Sequence, residues 1–191
     1  MDFRLHWAIC IVATYTFYFV IFNWSIISKR DFHIHIGIAP TKNIERIEWF
    51  LEKCTEIGID EISFLQCQRS ERKQVNMERV EKVVISAMKQ SGKAWLPILH
   101  PLTSYPTVIQ NTDSNQQLFV AHLADDNRVE LKDNVQAKGK YFILIGPEGD
   151  FTPEEISQAL DKGFKPVMLG QSRLRTETAG IVACHTFQLM N

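Results

Sequence analysis

The stretches that decide the fold are Ile145–Phe151 (IGPEGDF) and Leu169–Ala179 (LGQSRLRTETA). Each is a glycine-bearing loop that follows a short apolar run and precedes a segment of helical character. Because both loops come directly after predicted strands, we expect them at the carboxyl edge of a parallel sheet, where open α/β sheets bind ligands. The sequence therefore predicts a pocket whose walls are largely backbone.

The residues on either side of the first loop predict a strand and a helix. Tyr141–Ile145 is apolar and rich in aromatic and β-branched residues, which is typical of a buried parallel strand. Thr152 suits the N-cap of the following helix, Pro153 its first position, and Glu155 completes a capping box. We expect this helix to run to about Lys162.

The second loop lies between a strand at Pro166–Leu169 and a buried final helix from about Thr176 to Met190. A single Gly-Pro-Glu-Gly after a strand is often only a turn. Two such loops favour a binding site, because a buried turn does not require Arg175 and Glu177 beside small residues. The chain has neither a dinucleotide fingerprint nor a phosphate loop, so neither ligand class is indicated.

The rest of the chain alternates strand and helix, which predicts an α/β domain with a mostly parallel sheet and helices on both faces. Further strands are expected at His33–Ile38, 62–65, 97–99 and 118–121, with helices at 44–57, 76–92 and 105–110. The polar segment from Asp125 to Lys140 predicts an exposed connection or hairpin.

Composition indicates a globular protein of one ordinary domain plus an extension, with 191 residues, 45% hydrophobic residues and a net charge of −1. No global basic field favours nucleic acid. The four cysteines lack a Cys-x-x-Cys pair, and the histidines lack a metal-ligand spacing, so we expect reduced thiols and no metal. The residues concerned are Cys10, Cys54, Cys67, Cys184, His33, His35, His100, His122 and His185.

The two glycine loops resemble the paired cofactor loops of the SPOUT methyltransferases, above all those of the small-subunit ribosomal RNA methyltransferase E family. Lys42–Gly58 (KNIERIEWFLEKCTEIG), Arg69-Ser70 and Gln90–Lys93 (QSGK) resemble further segments of that family in order and spacing. Gln68 departs from the glutamate that the family usually has. The resemblance begins near Asp31 and extends through the final helix.

That resemblance implies methylation of N3 of a uridine in 16S ribosomal RNA, with S-adenosylmethionine as cofactor. It also implies a SPOUT domain at residues 31–191 with a C-terminal trefoil knot, which periodicity alone cannot show. The implied assembly is a cytoplasmic homodimer with the RNA site at the subunit boundary. A second hypothesis is a noncatalytic RNA-binding or ribosome-assembly protein that retains the fold.

The candidate site residues follow from the same resemblance. Uridine N3 is protonated at neutral pH, so its methylation requires a base or a cation that stabilises the anion. Arg175 is the candidate cation, and Glu177 or Glu148 the candidate base, although Glu177 equally suits the first turn of a helix as a purely structural acid. The expected cofactor lining is Leu144, Ile145, Gly146, Pro147, Glu148, Gly149, Leu169, Gly170, Leu174, Arg175, Glu177 and Thr178.

RNA phosphates are expected to contact Arg69, Arg72 and Lys93, with Lys73 and Lys89 as further candidates. A charge run such as Arg69–Lys73 is more often a solvated face, and the resemblance is what favours Arg69 and Lys93.

Residues 1–30 form a hydrophobic leader that has no counterpart in the family pattern. From Leu5 to Ile27 the segment is apolar and long enough to span a bilayer, and Lys29 and Arg30 follow it. Two hypotheses stay open: a membrane anchor, or a translated stretch upstream of a truncated gene. Family members usually begin with a β-rich RNA-binding domain related to PUA domains, so we expect weaker RNA methylation without one.

Overall fold

Seven strands form one sheet in the computed structural model, which describes residues 30–113, 115–123 and 128–191. The strands are β1 (His33–Ile38), β2 (Glu61–Gln66), β3 (Ile98–Ser104), β4 (Gln116–Ala121), β5 (Val129–Glu130), β6 (Lys140–Ile145) and β7 (Lys165–Met168). Their order across the sheet is β3-β2-β1-β6-β4-β7-β5. Every strand pairing among the described residues is parallel, which confirms the predicted α/β class.

The described residues form five α-helices: α1 (Ile44–Ile57), α2 (Met77–Gln90), α3 (Tyr105–Gln110), α4 (Pro153–Asp161) and α5 (Thr176–Leu189). The first four connect strands, and α5 follows β7. The alternation of side chains along the strands produces two cores. Ile34 and Ile143 pack with α1, α2 and α5, whereas Phe142 and Leu144 pack with α3 and α4. Helices therefore cover both faces of the sheet, as the sequence predicts.

Local capping explains where the helices begin and end. The Asn43 side chain accepts a 3.0 Å hydrogen bond from Glu45 N at the start of α1, and Gly58 ends that helix at φ = 115°, a conformation that favours glycine. The predicted capping box of Thr152 and Glu155 is present at the start of α4. These caps define the start of α1 and α4 and the end of α1.

The final helix packs against α1 through Gly180. A Cβ atom added to Gly180 would lie 2.5 Å from Cε2 of Phe50, so no larger residue fits between the two helices as they stand. At its first turn, Thr176 Oγ1 donates a 3.0 Å hydrogen bond to the carbonyl oxygen of Gly146. These contacts set the position of α5 against the end of β6.

The described residues of the segment from Asp125 to Lys140 form a largely exposed connection, as predicted, whereas the alternative prediction of a hairpin is wrong. Within the segment from Asp125 to Lys140, Val129–Glu130 forms the parallel edge strand β5 beside β7, and Leu131 is buried in a short 3-10 turn that follows. A two-residue strand offers no periodicity to detect, and a hairpin is excluded because its strands are antiparallel. Residues 124–127 lie outside the described part of the chain.

The leader from Leu5 to Ile27 also lies outside the described residues. Among the residues that the structure does describe, no helix has the length and apolar character needed to cross a membrane. Arg30, the first described residue, donates 2.8 Å and 2.9 Å hydrogen bonds to Asp60 and Gln188. The domain boundary proposed after residue 30 therefore separates Arg30 from its two partners.

Candidate functional site

A cavity of about 400 Å³ lies at the carboxyl edge of the sheet, where β4, β6 and β7 end beside the start of α5. Because β6 lies between β1 and β4, its loop emerges near the middle of the sheet. The two glycine loops form opposite walls of the cavity. The sequence prediction of a pocket between these loops matches this arrangement.

Eight of the twelve residues expected to line the cofactor site lie in this cavity: Ile145, Gly146, Pro147, Glu148, Leu169, Gly170, Leu174 and Arg175. The other four do not belong to its lining. Leu144 is fully buried and packs into the core beneath α3 and α4, and Glu177 is buried at the base of α5. Gly149 and Thr178 also lie outside the wall.

Backbone conformation shapes both loops. Gly170 has φ = 108°, which lies in the left-handed region that favours glycine, and open space surrounds the position of a hypothetical Cβ. Asp150 ties the first loop to the end of β4, because its Oδ2 accepts a 2.9 Å hydrogen bond from Leu123 N. This hydrogen bond links the loop after β6 to the end of β4 beside the cavity.

Charged side chains give the cavity a cationic rim. Arg46, Arg173 and Arg175 line it, and Arg173 and Arg175 are exposed. Nε of Arg46 lies 3.8 Å from Oε1 of Glu177, whose side chain is 7% exposed. Oε2 of Glu177 is buried and has no hydrogen-bond partner among the described residues. The arginine rim could hold an anion, and Glu177 lies behind it.

Glu148 occupies a different environment from Glu177. It is exposed in the lining of the cavity, and its Oε1 accepts a 3.0 Å hydrogen bond from Lys42 N. Of the two candidate bases, only Glu148 faces the cavity. The roles of both carboxylates stay predictions.

Sequence reasoning missed the contribution of β4 and α1 to the site. Ala121, His122 and Leu123 follow or end β4, and Arg46 comes from the first turn of α1. The contribution of β4 could have been predicted from the sequence, since β4 is another parallel strand that ends at the same edge of the sheet. No sequence pattern could have predicted the contribution of Arg46, because its approach to the cavity depends on how α1 packs on α5.

The residues expected to contact RNA do not lie together. Nη1 of Arg69 donates to the carbonyl oxygens of Gly149, at 2.9 Å, and Phe151, at 3.3 Å. Arg72 donates to the carbonyl oxygens of Thr41 and Lys42. Both arginines therefore hold loops at the carboxyl edge of the sheet.

Lys93 lies elsewhere. It follows α2 and is exposed beside Gly58, which precedes β2 and so belongs to the amino edge of the sheet. The expected phosphate contacts thus lie at two edges of the sheet, with Arg69 and Arg72 at the carboxyl edge and Lys93 at the amino edge.

A model of the RNA methyltransferase domain matches residues 28–188. The chain belongs to the RNA methyltransferase domain family. The match spans every strand and helix described above except the last residue of α5, so the family membership predicted from the sequence is confirmed. The SPOUT-type fold is supported at the level of the sheet and its helices, whereas the trefoil knot stays a prediction.

Individual relatives agree with the family assignment. The chain is 29% identical over 168 residues to the ribosomal RNA small subunit methyltransferase E of Buchnera aphidicola, covering 85% of this chain and 65% of that protein. It is 32% identical over 174 residues to the protein of the same name from Mycobacterium bovis, covering 86% and 65%. The chain thus spans slightly less than two thirds of the length of these curated relatives.

Solved structures show the same fold. The crystal structure of a probable rRNA-methyltransferase from Porphyromonas gingivalis has a TM-score of 0.79 and 48% identity, covering 84% of this chain and 69% of that chain. The ribosomal RNA small subunit methyltransferase E of Neisseria gonorrhoeae, bound to S-adenosyl methionine, has a TM-score of 0.76 and 27% identity, covering 83% and 66%.

Proposed function

We propose that this protein transfers a methyl group from S-adenosylmethionine to N3 of a uridine in 16S ribosomal RNA. The observation that carries the proposal is the cavity between the two glycine loops, with Arg175 at its rim. The small-subunit ribosomal RNA methyltransferases named among the relatives, and the bound cofactor in one of the similar structures, support the same reaction.

The cavity suits a nucleoside cofactor that carries a carboxylate. Its walls offer backbone groups of Ile145–Glu148 and Leu169–Gly170, which can read the edge of a base without side chains. The open space at Gly170 allows close approach of a ligand to the backbone. Arginines at the rim suit the carboxylate of the amino-acid part of S-adenosylmethionine. S-adenosylmethionine, when bound, supplies an electrophilic methyl group on a sulfonium.

In this proposal the chain contributes positioning and charge. Arg175 is exposed at the N-cap of α5, where its guanidinium can stabilise the anion of the uridine ring. Glu148, exposed in the cavity, is the better candidate to accept the N3 proton, since Glu177 is buried away from the wall. Glu177 then acts by holding Arg46 and by stabilising the first turn of α5.

A cytoplasmic homodimer with a knotted C-terminal region completes the proposal. Phe187 is buried in the core, stacked on Tyr141 at 4.7 Å between ring centroids, so it is not available to a partner. Leu189 at the end of α5 is 70% exposed and Trp49 on α1 is 46% exposed. These side chains are candidates for the contact between subunits.

Two measurements on the folded full chain test this function. Calorimetry with S-adenosylhomocysteine tests the cavity, and transfer of a tritiated methyl group to small ribosomal subunits from a strain lacking the endogenous enzyme tests the reaction. Cofactor binding followed by labelling of one uridine at N3 supports the proposal. Binding without labelling points to the noncatalytic alternative, and absence of binding by a folded protein contradicts both the cofactor and the reaction.

A further inference from the structure

The amino edge of the sheet carries a cluster of imidazoles around one carboxylate that the proposed methyl transfer does not use. His33 and His35 lie on β1, Glu61 on β2 and His100 on β3. In the parallel register His35 pairs with Glu61, and Ser63 pairs with His100. Side chains in such pairs point to the same face, so three neighbouring strands converge here.

Glu61 is the centre of this cluster. Its Oε1 lies 2.5 Å from His100 Nε2 and 4.0 Å from His35 Nδ1, and its Oε2 lies 3.5 Å from His33 Nε2. One ligand atom each from His35, Glu61 and His100 lies within 4.8 Å of the other two. Tetrahedral ligands held about 2.1 Å from zinc are about 3.4 Å apart, so small side-chain adjustments suffice to enclose an ion.

His35 is already held in a suitable orientation. Its Nε2 lies 2.8 Å from Ser63 Oγ, and its ring stacks on Phe142 with centroids 4.0 Å apart. A hydrogen bond from one ring nitrogen to a neighbouring oxygen directs the other nitrogen toward a metal. Here Ser63 can accept from Nε2, which leaves Nδ1 directed to Glu61.

Solvent reaches the cluster from one side. The side chain of His100 is 42% exposed, that of His33 28% and that of Glu61 21%, whereas His35 is only 10% exposed. His33 Nδ1 is buried and has no hydrogen-bond partner among the described residues, so no hydrogen bond at that nitrogen opposes a rotation of the ring. An ion can enter, and at least one donor can move toward it.

We propose that His35, Glu61 and His100 bind one zinc ion, with His33 Nε2 as a fourth donor. Imidazole and carboxylate ligands favour zinc and neighbouring transition metals, whereas magnesium and calcium require oxygen ligands. The site joins β1, β2 and β3 at the amino edge, and the cofactor cavity lies at the carboxyl edge. The ion therefore stabilises the sheet and takes no part in methyl transfer.

This proposal departs from the sequence-based expectation of no metal. The histidines lack a ligand spacing along the chain, since 65 positions separate His35 from His100. Only the order of β1, β2 and β3 brings them together.

The test is zinc titration of the metal-free full chain, without a histidine tag, by calorimetry and thermal unfolding. We expect one ion per chain and a higher Tm with zinc, because the ion binds the folded state. His100→Ala and Glu61→Gln should abolish this binding. Ser63→Ala should weaken it by roughly ten- to a hundredfold, as loss of a partner that orients a ligand does. His185→Ala, which removes an exposed histidine on α5 outside the cluster, should leave binding unchanged.

Three results would overturn the site. The first is a folded wild-type chain that binds no zinc. The second is zinc affinity that survives both His100→Ala and Glu61→Gln. The third is a cobalt-substituted protein whose visible spectrum shows thiolate ligation, since that would assign the ion to cysteine. None of these measurements depends on cofactor or RNA, so they leave the proposed function untouched.

Discussion

Arg69 donates a 2.9 Å hydrogen bond from Nη1 to the carbonyl oxygen of Gly149, across 80 positions of sequence. The same nitrogen lies 3.3 Å from the carbonyl oxygen of Phe151. A side chain that follows β2 therefore holds the loop that follows β6. The loop in question carries Gly146, Pro147 and Glu148 of the candidate cavity.

Arg69→Ala is expected to weaken cofactor binding by roughly tenfold, because losing a charge-assisted hydrogen bond of about 1.5–3 kcal/mol frees the loop. Calorimetry with S-adenosylhomocysteine measures this change. Lys73→Ala is the matched control, since Lys73 is an exposed cation of the same segment that lies outside the cavity. If Arg69 instead serves only as a phosphate contact, its removal changes RNA affinity and its salt dependence while cofactor affinity stays constant.

Gly170→Val is expected to cost about 1–3 kcal/mol of stability, because φ = 108° is strained for a branched residue, and also to lower cofactor affinity. Gly92→Val is the control: Gly92 has φ = 63° with open space around it and lies outside the cavity. Thermal unfolding should show a lower Tm in both variants. Calorimetry should show a lower cofactor affinity in Gly170→Val alone. Equal cofactor affinity in the two variants would count against the cavity.

Arg175→Ala is expected to lower the methylation rate by about 100-fold with a smaller loss of cofactor affinity, as removal of a group that stabilises an anion does. Single-turnover labelling and calorimetry on the same preparation separate the two effects. Lys162→Ala is the control, because Lys162 is an exposed cation at the end of α4 that lies outside the cavity. An unchanged rate in Arg175→Ala removes that residue from the reaction.

Glu177→Gln is expected to lower the free energy of unfolding by about 1 kcal/mol, because an acid in the first turn of α5 interacts favourably with the helix dipole. The labelling rate should fall less than in Arg175→Ala. Chemical denaturation and single-turnover labelling measure the two quantities. Complete loss of labelling with an unchanged unfolding energy would instead assign the base to Glu177.

The buried thiols are expected to resist reaction with a disulfide reagent in the native protein at pH 8. Burial raises the pKa of Cys67 and Cys54, and thiolate is the reactive form. Cys184 is buried as well. A Cys10→Ser variant isolates these three thiols, which should react with a disulfide reagent only after denaturant is added. Rapid reaction of the folded variant would show that the core opens readily.

Leu189→Lys is expected to shift the protein from dimer toward monomer in light scattering, because it places a charge in an exposed apolar position on α5. Leu160→Lys on α4 is the control, since Leu160 is comparably apolar and lies across the sheet. A soluble fragment for this measurement should keep Arg30, which pairs with Asp60. A monomer at tens of micromolar in the parent fragment contradicts the proposed assembly.

The sequence predicted the local structure well because its signals are local. Thr152, Pro153 and Glu155 specify a helix start within four residues, and Tyr105–Gln110 matches its predicted helix fully. The two glycine loops were located for the same reason. Their position at the carboxyl edge of the sheet, where ligands bind, could be predicted because the strands are parallel.

What escaped prediction depends on contacts between distant segments. Leu144 was expected in the pocket, but the alternation of β6 directs it into the core under α3 and α4. Arg46 reaches the rim because α1 packs on α5, and Val129–Glu130 becomes a strand only beside β7. None of these outcomes has a signature within ten residues of sequence.

The contact between Gly180 and Phe50 links a distant position to the cavity. Any side chain at position 180 would overlap the ring of Phe50, so the packing of α5 on α1 must adjust, and the start of α5 carries Arg175 and Thr176. A survey of random substitutions scored by activity should therefore rank Gly180 among the most sensitive positions, although it belongs to no wall of the cavity. Positions at which mutation lowers activity will therefore include residues that pack the last helix as well as residues that contact the ligand.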